Sequence, residues 1–215
     1  MAATATRRKR RTYAPRVPAE QRRAQLLDAA LHLVVSRGHN AVRMAAVADQ
    51  AGVTKPVVYG MYANRAELLA ALLRRESEQA LAQVLDVLPE DRAGRRPGEL
   101  LSDVLDRFLA AVRAAPERWH CVVMPMPDMP AEFHAAREQA RGVALARAEQ
   151  LVRDQVRAVG ASPELDPEIL AHTLVSLFEM AARLVLTEPE RFHPARFAAT
   201  LRAALGSAMS HRSGR

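Results

Sequence analysis

Apolar residues in this 215-residue chain recur at intervals of three and four positions, and glycine and proline separate the runs. In the first run the apolar residues that share one helical face are Leu27, Ala30, Leu31 and Val34. Gly38 follows in the position of a C-terminal cap, so we predict a helix over about 19–37. No segment alternates apolar and polar residues as a half-buried strand would. The spacing therefore predicts an all-α protein.

The next helices are predicted by capping residues as well as by spacing. Residues 44–51 repeat the apolar pattern for two turns and stop at Gly52, and Thr54 is placed to cap a third short helix through its hydroxyl. Asn64 and Glu67 form a capping pair that opens a long fourth helix. Further helices are expected at about 98–114, 131–158, 166–187 and 194–209, with an irregular segment over 119–133.

Positive charge is confined to the first third of the chain. Residues 1–65 contain 12 Lys or Arg and 3 Asp or Glu, whereas residues 66–215 contain 19 and 21. The net charge of +7 thus arises wholly in the first third, which is typical of a module that binds a polyanion such as nucleic acid. Because 29 of the 31 cations are Arg, a compositional bias is the alternative source of charge, but it leaves the clustering unexplained.

Composition excludes several classes of protein. A chain that is 49% hydrophobic and 26% charged is not wholly disordered, and its single cysteine cannot close an intramolecular disulfide. No stretch approaches the roughly 18 apolar residues that a membrane span needs, and no apolar core of a signal peptide follows the basic start. We therefore expect a cytoplasmic protein that does not associate with membranes.

The run MAAVADQAGVTKPVVYGMYANRAELLAAL, residues 44–72, is the most specific signal. The small side chain of Ala48 lets two helices cross closely, and Gly52 permits a left-handed turn between them. On that scaffold the third helix projects Lys55, Val57 and Tyr59 outward, and a helix of this kind fits the major groove of DNA. The run therefore predicts a helix-turn-helix that binds double-stranded DNA.

This run resembles the tetracycline-repressor-like (TetR) transcriptional regulators from the first helix to the start of the fourth. The resemblance rests on Val47-Ala48, Ala51-Gly52-Val53-Thr54, Pro56, Val58-Tyr59, Tyr62, Arg65 and Glu67-Leu68-Leu69. It implies an all-helical homodimer on a palindromic operator, which releases DNA when a small effector enters the larger domain. The chain would then comprise a basic arm (1–17), a helix-turn-helix DNA-binding domain (18–65) and an effector-binding and dimerisation domain (66–215).

Carried over by position, the resemblance assigns the DNA contacts. The residues it places on the recognition helix are Thr54, Lys55, Pro56, Val57 and Tyr59. Arg65 falls on the basic position that would hold a phosphate, while Lys55 and the methyl groups of Val57 would read base edges. Tyr62, in contrast, is expected to be a core residue.

Some positions depart from the family pattern. Arg43 replaces the Ser or Thr that usually precedes the second helix, and we expect it to bind a phosphate instead. Gly60 and Met61 stand where larger contact residues are common, which removes possible backbone contacts. The arm, Arg7 to Arg11, has two interpretations: it reaches along the duplex or into the minor groove, or it is a solvated tail without specificity.

Aromatic and methionine residues distinguish the second domain. Core packing explains most such residues, but the segment 119–133 contains three prolines and three methionines, a composition that suits an adaptable apolar wall. We therefore expect an apolar or amphipathic effector. The candidate effector-binding residues are Phe108, Arg113, Trp119, Met124, Met126, Phe133, His134 and Phe178, and the candidate polar anchors are Arg113, His120, His134 and Glu179.

Other chemistries are less well supported. His120, Cys121 and His134 lack the second thiolate of a soft metal site, and nothing in the sequence places His134 as a base for Cys121. We therefore expect that the protein binds no metal or cofactor and is not an enzyme. The alternative function is a helical protein-interaction or ligand-carrier module that binds acidic partners without sequence preference.

The apolar stripe of the helix at 166–187 predicts a homodimer, because one neighbouring helix cannot cover it. The alternative is that the stripe is entirely internal core.

Overall fold

The computed structural model describes residues 17–88, 95–124, 131–162 and 164–210, with the side chains of 131–133 and 206–210 outside this description. Over the described residues the chain is helical and contains no strand, which confirms the all-α prediction. A single 3-10 turn, His39–Ala41, follows the first α-helix. The α-helices are α1 (Ala19–Arg37), α2 (Met44–Gln50), α3 (Lys55–Tyr59), α4 (Arg65–Val87), α5 (Pro97–Ala114), α6 (Pro116–Val123), α7 (Ala131–Ala158), α8 (Pro167–Thr187) and α9 (Pro194–Ser210).

The first four helices pack around one core. Its fully buried members include Leu26, Val47, Val58, Leu68 and Leu72. The buried ring of Tyr62 belongs to the same core, as predicted. This core fixes α3 against α2, so the opposite face of α3 is turned away from the protein.

The turn between α2 and α3 is held by backbone hydrogen bonds. Gly52 adopts a positive φ of 65°, and the amide of Val53 donates to the carbonyl of Ala48 at 2.9 Å. From α1, the side chain of Gln25 donates to the carbonyl of Ala51 at 2.7 Å. Because glycine adopts this left-handed conformation without steric cost, the predicted function of Gly52 is confirmed.

Thr54 precedes α3, but its hydroxyl makes no capping hydrogen bond, so the predicted side-chain cap is wrong. The reason is local. Pro56 occupies the second helical position and has no N–H to offer, while the next amide, that of Val57, donates to the backbone carbonyl of Thr54 at 3.0 Å.

The capping pair that opens α4 is confirmed. The side-chain oxygen of Asn64 accepts from the amide of Glu67 at 2.9 Å, and the Glu67 carboxylate accepts from the amide of Ala63 at 2.6 Å. From this cap α4 continues without interruption to Val87, through the boundary that we predicted between residues 65 and 66. The long helix therefore belongs to both cores.

A second core lies among α5, α6, α8 and the later part of α4. It contains Leu105, Leu109 and Val112 from α5 and Ala181 and Val185 from α8. α5 also packs on α9, and α7 packs on both α4 and α8.

α6 is the main correction to the predicted helices. The segment 119–133 was expected to be irregular, but Pro116–Val123 is helical. Pro116 begins this helix at a position where a missing N–H breaks no helical hydrogen bond. α6 contacts α1, α4, α5 and α8, and therefore touches both cores.

α8 is long and apolar enough to cross a membrane by length and composition, with a mean hydropathy of 1.6 in its most apolar window. The expectation that no stretch approaches this composition is wrong for α8. Only 22% of that window is buried inside the protein, although α8 packs on α5, α6 and α7. Its exposed apolar side chains include Ile169 and Met180.

Candidate functional site

The outer face of α3 is largely accessible to solvent. Thr54, Lys55 and Pro56 are exposed, Val57 is half-buried, and 55% of Tyr59 is accessible. Val58, on the inner face, is completely buried in the first core. The helix is thus anchored by one side chain and presents the others to solvent, as a helix that enters a groove must.

Arg43 is exposed immediately before α2 and makes no side-chain capping bond there. Arg65 is different, because its guanidinium already binds the protein. Its Nε donates to the carbonyl of Val42 at 2.7 Å, and its Nη2 donates to the carbonyl of His39 at 2.8 Å. Arg65 therefore ties the start of α4 to the turn before α2. Since a guanidinium has five N–H groups, its assignment to a phosphate stays a prediction that this geometry permits.

A cavity of about 560 Å³ lies between α4, α5, α6, α7 and α8. Its walls are mostly aliphatic and aromatic, and its volume is in the range of small-molecule sites. Three predicted effector residues meet in the wall. The ring centroid of Phe108 lies 4.9 Å from that of Trp119 in an edge-on arrangement and 5.3 Å from that of Phe178. The indole N–H of Trp119 donates to Gln83 of α4 at 3.0 Å.

The other candidate effector residues are not brought into this wall. Arg113 is exposed on α5, Met124 ends α6 and packs against the second core, and His134 is half-buried outside the lining. Met126 and the side chain of Phe133 lie outside the described residues. Of the proposed polar anchors, Glu179 lines the cavity, whereas Arg113, His120 and His134 do not.

Sequence reasoning missed two arginines in the wall, Arg137 and Arg141 of α7. The Nε of Arg141 donates to the Glu179 carboxylate at 2.7 Å, and this hydrogen bond raises the pKa of Arg141. The Nη1 of Arg137 donates to the carbonyl of Met124 at 3.0 Å, and burial lowers the pKa of Arg137. The sequence did show that these two arginines are four positions apart and therefore lie on one face of a helix. That spacing is also common on solvent-exposed faces, so it did not predict a site.

A buried carboxylate joins the two halves of the molecule. Glu76 of α4 is only 1% exposed, and it accepts from Arg75 at 2.6 Å and from Arg118 of α6 at 3.1 Å. Arg75 also donates to Asp28 of α1 at 2.7 Å. Glu76 thus connects α1, α4 and α6 through two arginines.

The faces of α6 serve different cores. Cys121 is buried in the first core, whereas Trp119 is buried in the second and lines the cavity. Burial raises the pKa of the Cys121 thiol to about 12, so this thiol is neither a ready nucleophile nor a thiolate ligand. Within the described residues, no three His, Cys, Asp or Glu side chains gather as a metal site.

Residues 26–72 match the family model described as bacterial regulatory proteins of the tetR family. The chain is 41% identical over 73 residues to the transcriptional activator FasR of Mycolicibacterium smegmatis, and 32% identical over 97 residues to the transcriptional repressor KstR of Rhodococcus jostii. Residues 26–72 are therefore similar to the N-terminal segment of the tetR family. The two alignments cover 34% and 45% of this chain but only 33% and 43% of those proteins, so the chain spans less than half the length of these relatives. One of these relatives is a transcriptional activator and the other is a transcriptional repressor.

Solved structures of transcriptional regulators share the fold over most of the chain. A TetR-like regulator from Rhodococcus sp. RHA1 gives a TM-score of 0.68 at 24% identity, covering 93% of this chain and 100% of that one. The regulator FadR from Bacillus subtilis, in complex with stearoyl-CoA, gives a TM-score of 0.68 at 13% identity, covering 85% and 96%. At these identities the likeness concerns the fold.

Proposed function

We propose that this protein is a member of the tetR family and a dimeric, sequence-specific DNA-binding regulator of transcription in the cytoplasm. It acts as a repressor that leaves a palindromic operator when a small apolar or amphipathic effector binds. The observation that carries the proposal is the solvent-exposed outer face of α3 within the segment 26–72 that matches the family.

The exposed residues suit the two tasks of a DNA-binding helix. Lys55 is the principal reader of a base edge, and the half-buried Val57 offers methyl groups to a thymine. Arg43 and Arg65 hold phosphates on either side, and Tyr59 contacts the backbone or a base. Phosphate contacts supply affinity and register, whereas α3 supplies the sequence preference.

Dimerisation is proposed through α8. Ile169 is 66% exposed and Met180 is 39% exposed, and Thr173 and Ser176 lie between them at helical spacing. A face that exposes large apolar side chains beside small hydroxyl residues is stabilised when a second copy covers it. Two copies would then present two α3 helices to half-sites about 34 Å apart, one turn of the duplex.

The effector is proposed to bind in the cavity. Its wall of Phe108, Trp119 and Phe178 favours an apolar group. A structural relative, FadR from Bacillus subtilis, holds stearoyl-CoA, which has a long apolar chain. α6 lies between this cavity and the first core, so an effector that favours one position of α6 would change the separation of the two α3 helices in the dimer.

A gel-shift titration tests the function. The full chain is titrated against its own promoter region, with excess random duplex as competitor at physiological salt. We expect retained binding by the wild type and, for Lys55→Ala, a loss of about tenfold in the preference for the promoter. Arg113→Ala is the matched control, because it removes one exposed cation from α5, outside the helix-turn-helix. Equal competition by random duplex would contradict the proposal and favour a module that binds acidic partners without sequence preference.

A further inference from the structure

The cavity has two chemically different ends. Along α7 its lining extends from Arg137 to Val159, a distance of about 33 Å at 1.5 Å per helical residue. The charged lining residues Arg137, Arg141 and Glu179 all lie toward the end closed by α6. Beyond them the α7 wall is apolar except for Gln155, and it comprises Ala144, Ala148, Leu151, Val152, Val156 and Val159. The cavity, of about 560 Å³, is thus lined by charged residues toward one end of α7 and by apolar residues toward the other.

Positive charge exceeds negative charge at the α6 end. Arg183 of α8 is close to the two lining arginines, because its Nη1 lies 3.5 Å from the carbonyl of Val123 and its charge acts on Arg137. These three arginines are opposed by two carboxylates. Glu179 is already bound by Arg141, and Glu138 is exposed to solvent. Solvent screens the Glu138 charge more than a buried one, so the wall retains an excess of positive charge.

Arg137 donates to no carboxylate among the described residues, in contrast to Arg141, which binds Glu179. Its hydrogen bond within the described part of the chain goes to a neutral carbonyl, and burial removes water from its guanidinium. A half-buried cation that contacts no carboxylate has lost part of its hydration, so an anion supplied by a ligand would be bound favourably there.

Ser77 adds an unused hydroxyl to the same end. It lines the cavity, it is only 4% exposed, and its Oγ has no hydrogen-bond partner among the described residues. Its neighbour Glu76 is held by Arg118 of α6, which places Ser77 at the α6 end. An unpaired buried hydroxyl is unfavourable, and an oxygen atom of a ligand would satisfy it.

We propose that the effector is a single-chain amphiphile with an anionic head. Arg137 and Arg141 bind the head, the Ser77 hydroxyl donates to one of its oxygens, and the alkyl chain lies along α7 toward Val159. The proposal deepens the effector-binding part of the proposed function and rests on it. The anion is either the carboxylate of a free fatty acid or a phosphate of an acyl thioester, and the experiment below separates these two sources.

The test varies the head at constant chain length. The chain contains one tryptophan, Trp119, which lines the cavity and reports binding by its fluorescence. Palmitate, palmitoyl-CoA, hexadecanol and hexadecylamine are titrated separately into the full chain below their micellar concentrations. We expect one of the two anions to bind at least about tenfold more tightly than the alcohol, and the amine to bind most weakly. The tighter of the two anions identifies the source.

Variants then locate the head. Arg137→Gln and Arg141→Gln should each weaken binding of the preferred anion by about tenfold and leave the alcohol unchanged. Glu179→Gln should strengthen it, because a competing carboxylate is removed. The matched control is Arg153→Gln, a residue of α7 that pairs with Glu149 outside the cavity lining.

The proposal is overturned if the alcohol or the amine binds as tightly as the better anion, or if none of the four changes the fluorescence. The wild-type comparison decides this even if a variant fails to fold. No DNA is present in the assay, so its failure leaves the gel-shift result standing. Conversely, if the protein bound the anion but showed no preference for the promoter, the proposed regulatory function would fail and the proposed ligand site would stand.

Discussion

The DNA-binding region and the effector cavity assemble their chemistry in opposite ways. The candidate DNA contacts on α3 lie within five positions of one short helix, and their side chains are exposed except for the half-buried Val57. The polar residues of the cavity, from Ser77 to Glu179, come from separate helices that are far apart in the chain. Local sequence patterns therefore reveal the first site, whereas the second exists only once the helices have packed.

The same difference governs how each region tolerates change. An exposed residue of α3 can be replaced with little effect on folding, since surface substitutions usually change stability by less than about 0.5 kcal/mol. A cavity residue is also part of a core, so its replacement changes packing and ligand binding together. α6 and Glu76 connect the DNA-binding region with the cavity region, and the following variants test this connection.

The largest effect is expected for Glu76→Ala. It leaves Arg75 and Arg118 without their shared buried carboxylate, and breaking such an ionic network costs about 3 kcal/mol of unfolding free energy. Urea denaturation should show this loss, while Glu78→Ala, at an exposed position of the same helix, should change stability by less than about 0.5 kcal/mol. An unchanged midpoint for Glu76→Ala would show that the two regions are not joined through this carboxylate.

Cys121 tests whether α6 is packed into the DNA-binding core. Because burial raises the pKa of this thiol to about 12, alkylation by iodoacetamide at pH 8 should be at least about a hundredfold slower in the native protein than in urea. The chain contains no other cysteine, so mass spectrometry of the whole protein measures the reaction. Similar rates in the two states would mean that α6 separates readily from α1.

Arg65 gives the smallest of these effects and sharpens the contrast within the DNA-binding region. Arg65→Ala removes hydrogen bonds to the carbonyls of His39 and Val42, so it should lower unfolding free energy by about 1–2 kcal/mol. It should also reduce the salt slope of DNA binding by about one if the guanidinium holds a phosphate. Arg65→Lys keeps the charge without the fork, and should lose stability but retain the slope. A slope that is unaltered in Arg65→Ala would make Arg65 structural alone.

Sequence reasoning succeeded where the cause is local. The bounds of α1 and α7, the Asn64 cap and the burial of Tyr62 were predicted, because spacing and capping act within a few residues. It failed for α6, where prolines and methionines that follow the helix suggested an irregular segment. It also failed for the Thr54 hydroxyl, whose expected donor position is occupied by proline.

The cavity shows more clearly what sequence reasoning does not predict. Phe108, Trp119 and Phe178 were predicted from residue type alone, but so was Arg113, which is exposed on α5. Nothing in the local pattern of α7 distinguishes Arg137 and Arg141 from arginines on a solvated face, because their neighbours in the cavity come from other helices.

The sequence by itself determined every α-helix except α6, the turn at Gly52 and the exposed face of α3, since backbone conformation and amphipathic spacing are properties of short segments. Only the tertiary structure decided which side chains share the cavity, that Arg65 is bound to two carbonyls, and that α6 touches both cores. Those outcomes depend on how helices distant in the chain pack against one another, and side-chain contacts across such distances leave no periodic signal in the sequence.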